Sequence, residues 1–130
     1  MKSSKLAGAL AGSCLSLFVA SSAMAHHSAA QFDFRSPATL GGVVKVARFE
    51  NPHGKLILEV TDDERGTRDI EFETHSRNNM SRMGLQPDMF NVGDEIWISI
   101  APTRTGQDGG YVLALLTEDG LAVGNITAPD

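Results

Sequence analysis

Apolar and polar residues alternate through "HGKLILEV" (His53 to Val60), which puts Leu56, Leu58 and Val60 on one face of a strand. The same period runs through "DIEFETH" (Asp69 to His75), with Ile70 and Phe72 inward, and the polar stretch "TDDERGTR" between them reads as a hairpin turn. Upstream, "ATLGGVVKVARFE" (Ala38 to Glu50) carries Val44, Val46, Ala47 and Phe49 and predicts a strand with a bend or bulge near Gly41 and Gly42. The period then changes. Ser76 is an N-cap candidate for "RNNMSRM", Met80 and Met83 lie three apart, and Gly84 suits the position just past a helix end. Two more strands follow, "EIWISIA" (Glu95 to Ala101) and "YVLALLT" (Tyr111 to Thr117). Three strands, a short helix and two strands predict a mainly β fold, a small five-stranded barrel of the oligonucleotide/oligosaccharide-binding (OB-like) type. The alternative is a β-sandwich in which the helix is only a loop. Trp97 and Phe90 read as core or core edge, and Met80 and Met83 as a helix face plugging one barrel end.

The first 25 residues stand apart from this pattern. Lys2 and Lys5 precede the charge-free apolar run Leu6 to Ala20, and Ala23-Met24-Ala25 forms an A-x-A cleavage site. This is the pattern of a secretory signal peptide, and the run is short for a transmembrane helix. The expected organisation is 1–25 signal peptide, 26–37 an N-terminal arm, and 38–130 the barrel domain. Export would place the mature chain in the periplasm, with no membrane span. Cleavage also removes Cys14, the one cysteine, so no disulfide or thiolate is left. Without Lys2 and Lys5 the 11 basic residues become nine against 16 acidic ones, a formal charge of −7. Such a surface repels phosphate backbones and disfavours nucleic acid as a partner.

Cleavage after Ala25 would make His26 the first residue, followed by His27. An N-terminal histidine offers its amine and its ring together. Two more histidines frame the central hairpin, His53 at the start of its first strand and His75 at the end of its second. A register in which paired positions sum to 128 keeps Leu56 opposite Phe72 and Leu58 opposite Ile70. It also sets His53 opposite His75, Lys55 opposite Glu73, and Glu59 unfavourably opposite Asp69. Opposed residues have Cβ atoms about 4.5–5.5 Å apart, close enough for two imidazoles to share an ion. The set His26, His27, His53 and His75, nitrogen-rich and thiolate-free, suits copper(II), with zinc or nickel next. His26 amine and ring completed by a second imidazole would form a histidine brace. Cleavage after Ala23 would put histidine third, also a copper(II) site, by a different geometry. Simpler roles stand beside these: a solvated tail for His26 and His27, a turn residue for His53, a helix cap for His75. Met80, Met83 and Met89 are further soft donors for copper(I), although helix packing accounts for the first two. No nucleophile elbow or phosphate loop occurs.

The segments "AHHS" (Ala25 to Ser28), Phe32 with Asp33, "TLGGVVKVARFENPH" (Thr39 to His53) and "VGDEI" (Val92 to Ile96) resemble a family of small exported bacterial proteins classed as a domain of unknown function. The resemblance implies a periplasmic all-β domain and marks His26, His27 and His53 as the special positions. It departs at "THSRNN" (Thr74 to Asn79), where family members carry small residues, so His75 ranks below the other three. "MGL" (Met83 to Leu85) likewise stands where the family has a Gly-Trp pair. The expected function is a copper(II) carrier or buffer rather than an enzyme. The alternative is a metal-independent accessory module that docks a periplasmic protein or an envelope polymer.

Overall fold

The computed structural model describes residues 29–124. Chain contacts divide the protein into Met1–Ala30 and Gln31–Asp130, and the elements described here belong to the second unit. They are strands β1 (Ala38–Arg48), β2 (Gly54–Asp62) and β3 (Gly66–Thr74), helix α1 (Arg77–Arg82), and strands β4 (Glu95–Pro102), β5 (Gly110–Leu116) and β6 (Ala122–Gly124). The sheet runs β3-β2-β1-β4-β5-β6, and a parallel pairing of β3 with β5 closes the first five strands into a barrel. The expected mainly β, five-stranded barrel with one short helix is thus the observed fold, and β6 is an added strand outside it. No helix among the described residues is long and apolar enough to cross a membrane.

The central hairpin follows the hydrophobic pattern. Leu56 pairs with Phe72 and Leu58 with Ile70, in the register that sums to 128 from Gly54–Thr74 to Asp62–Gly66. A shift by one residue would turn Leu56, Leu58 and Val60 to the outside, so core burial holds the pairing in place. The turn closes when Asp62 Oδ1 accepts from the Glu64 and Arg65 amides and Gly66 takes φ +70°. Charge pairing differs from expectation. Lys55 reaches the diagonal Glu71 at 3.0 Å instead of Glu73 opposite, and Lys45 of β1 binds Glu59 at 3.0 Å, which offsets the facing Asp69.

β1 carries its irregularity between Val44 and Val46, not at the glycines. The extra residue reverses the strand's alternation: Val44 is fully buried before the bulge, and Ala47 and Phe49 pack on the core after it. Gly41 and Gly42 serve close approach instead. A Cβ on Gly42 would lie 2.7 Å from the Glu59 carbonyl, and one on Gly41 would lie 2.7 Å from Trp97 Cε2. Trp97 itself is a correction. It points outward from β4 and is 53 % exposed, because Ile96 and Ile98 on either side take the inward positions.

The helix forms as its caps predict. Ser76 Oγ accepts from the Asn79 amide at 3.3 Å, and Gly84 takes φ +83° just past the end. Met80 is buried with Leu85 and Phe90, and Met83 packs beside them, so this segment lays its apolar residues on the barrel core. A second, smaller apolar cluster lies apart from the barrel core. It joins Phe32 and Phe34, upstream of β1, to Ala101 of β4 and to Tyr111 and Leu113 of β5.

Candidate functional site

His53 and His75 stand one step beyond the Gly54–Thr74 pair that ends the β2–β3 ladder. Local packing fixes this end of the hairpin. A Cβ on Gly54 would meet the Arg48 carbonyl at 2.4 Å and Thr74 Oγ1 at 2.5 Å, so only glycine lets β2 start here. Thr74 Oγ1 donates to the His75 carbonyl at 3.0 Å, and the Arg77 amide donates to the Glu50 carbonyl at 3.0 Å. These bonds tie the connection before β2 to the entry of α1, and the two histidines are held between them.

Both rings face Tyr111. The His75 ring meets it edge to face, with centroids 4.8 Å apart and planes at 89°, and the His53 ring lies 6.4 Å from it at 78°. Tyr111 arrives beside them because β5 runs parallel to β3 and pairs Tyr111 with Glu73. Tyr111 also carries Phe32 and Phe34, each with its centroid 5.6 Å away. Tyr111 is thus the aromatic ring that both histidines meet, and it is itself packed on two phenylalanines.

Two buried ring nitrogens in this cluster have no hydrogen-bond partner: His53 Nδ1 and His75 Nε2. Glu73 Oε1 lies 3.2 Å from His53 Nδ1, an ion-pair distance whose alignment falls short of a hydrogen bond. The His75 side chain is almost fully buried, and burial, with His53 nearby adding to it, pushes its pKa below the ordinary imidazole value. Burial and the Glu73 carboxylate push the Tyr111 phenol well above its usual range. His75 is thus held neutral with a lone pair or an N–H that nothing satisfies. A buried polar atom left in that state is destabilising unless something else engages it.

Of the four histidines singled out by sequence, His53 and His75 are brought together, while His26 and His27 lie outside the described residues. Among the described residues no three His, Cys, Asp or Glu side chains are arranged to hold a metal ion. Met80 is committed to the core and Met83 packs against it. Glu73, Tyr111, Phe32 and Phe34 were not anticipated. Glu73 was legible, since it shares a strand face with His75; Tyr111 depends on the long-range closure of β3 on β5.

The chain belongs to the Family of unknown function (DUF6152), whose model matches residues 15–112. That span contains all four histidines, Glu73 and Tyr111. No curated protein and no solved structure matches the chain.

Proposed function

We propose that this is an exported copper(II)-binding protein, a carrier or buffer, whose ligands are the His26 amine and ring together with His53, assisted by His75 or His27. The observation that supports it most is the nearness of the two imidazoles just past the Gly54–Thr74 end of the hairpin, with His75 Nε2 buried and without a hydrogen-bond partner. Two imidazoles alone bind copper weakly, so the reading requires the N-terminal histidines to complete the set. Chain length permits this. His26 is six residues from Phe32, and at about 3.3–3.6 Å per residue that tether spans at most about 22 Å. Phe32 is itself seated on Tyr111, the ring both histidines face.

Glu73 has a definite role in this reading. Its carboxylate lies 3.2 Å from His53 Nδ1, close enough to swing into line with that nitrogen and leave Nε2 as the donor. Copper(II) fits the set better than zinc or nickel because nitrogen donors without thiolate favour it in the divalent series. Imidazole and amine must both be free of protons to bind, so affinity falls as pH drops through the imidazole range.

Competition for copper(II) against a chelator of known affinity tests this. His53→Ala is expected to weaken binding strongly, and one extra residue placed ahead of His26 is expected to do the same by blocking the brace. Unchanged affinity in the first removes His53 from the site; unchanged affinity in the second removes the brace.

A further inference from the structure

Trp97 has no part in the core or in the histidine cluster, yet it is held in a defined position. It pairs with Gly41 across β1 and β4. The site where a Gly41 Cβ would be is 2.7, 2.8 and 3.0 Å from three adjoining indole atoms, so the ring lies flat on the β1 backbone. One face of the indole is thereby covered, and at 53 % exposure the residue leaves the other to solvent.

This ring borders a groove of about 430 Å³ at the barrel mouth. Leu40, Val60 and Ile100 are among its apolar lining, and Arg68, Gln107 and Asp108 among its polar lining. The charges along this lining are paired with one another. Arg68 bonds Asp62 at 2.6 Å and Asp108 at 2.8 Å, and Arg65 also bonds Asp108. Two guanidiniums thus meet two carboxylates, and a charged occupant would have to break pairs already made. The remaining donors and lone pairs suit hydroxyl groups, which can both give and accept.

A flat aromatic face beside a neutral row of hydrogen-bonding groups has a definite complement: the C–H face of a sugar ring, with its hydroxyls at the edge. The electron-rich indole face attracts those C–H bonds. We propose that this groove binds a neutral oligosaccharide, with one ring stacked on Trp97 and neighbouring hydroxyls on Arg68, Asp108 and Gln107. A polyanion is disfavoured by the chain's formal charge of −5. The site is separate from the histidines, and its occupation requires no metal.

The test uses metal-free protein and three neutral linear hexasaccharides: maltohexaose, cellohexaose and chitohexaose in its N-acetylated form. Trp97 is the single tryptophan, so its emission reports the groove directly. At least one sugar is expected to shift that emission saturably. Calorimetry should then show Trp97→Ala weakening binding about tenfold, in keeping with one stacking contact, and Trp97→Phe restoring part of it. Gly41→Ala should also weaken binding with the indole still present, because the added methyl displaces the ring. Absence of saturable binding by all three sugars at millimolar concentration overturns the proposal. So does full affinity in Trp97→Ala, or stronger binding of a polyuronate or a single-stranded oligonucleotide than of any neutral sugar.

Discussion

The ring of His75 meets the ring of Tyr111 edge to face at 4.8 Å, and this contact joins the end of the central hairpin to the aromatic cluster outside the barrel. Tyr111 is 2 % exposed and also carries Phe32 and Phe34. Its truncation therefore removes the common support of the histidines and of the segment before β1. Tyr111→Ala is expected to destabilise the protein by about 3–5 kcal/mol in urea unfolding, as for other buried aromatic residues. It should also expose the peptide bonds around Phe32 to limited proteolysis. A loss below about 1 kcal/mol with unchanged proteolysis would show that the cluster is not a structural unit.

Burial of His75 makes metal-free stability pH-dependent in a definite sense. Its folded pKa is depressed, so the unfolded chain takes up a proton more readily than the native one. The stability tied to the neutral ring is complete above its ordinary value of 6.5 and is lost as pH falls from there toward the lower folded value. Unfolding midpoints measured in urea between pH 8 and pH 5 should decline for the native protein, and His75→Phe should flatten that decline. An equal decline in both would assign it to other groups.

Gly54 is a position where a single methyl has nowhere to go. Gly54→Ala puts a Cβ against the Arg48 carbonyl and Thr74 Oγ1, two groups fixed by the sheet and by the bond to the His75 carbonyl. The expected loss is about 1–3 kcal/mol, the range for overpacking. Copper affinity should fall with it, since the strand start that carries His53 must shift. Thermal unfolding indistinguishable from the unsubstituted protein would contradict this.

The ion pairs of the barrel mouth should behave in the opposite way. Arg68 and Asp108 are solvent-accessible, and exposed pairs contribute little. Arg68→Ala is expected to lower stability by no more than about 1 kcal/mol, and raised salt should leave the difference small. A substantially larger loss would mean that this network holds the β4–β5 connection in place, and that the groove beside Trp97 depends on it.

Much of the barrel was legible because its strands are half-buried and alternate strictly. Leu56, Leu58, Ile70 and Phe72 exclude any odd slip and leave only even ones, and the observed register places His53 and His75 one step beyond the Gly54–Thr74 pair. What escaped is what alternation cannot encode. The bulge after Val44 reverses the strand's faces without a distinctive residue, and Trp97 is drawn outward by its place between Ile96 and Ile98. Tyr111 reaches the histidines through a parallel pairing between β3 and β5, elements far apart in sequence. Phe32 and Phe34 alternate as strand residues do, yet they belong to a separate cluster that only the closed barrel creates.

The central claim is that the His53–His75 pair takes part in holding copper with the aid of an N-terminal histidine. The most direct measurement is the native mass of the protein exported by its own kind of cell, before and after one equivalent of copper(II). A mass that begins at His26 and gains a single copper resistant to a weak chelator, with that gain lost in His53→Ala, is the predicted result. A chain that begins elsewhere, or one that begins at His26 and retains no copper, would contradict the account.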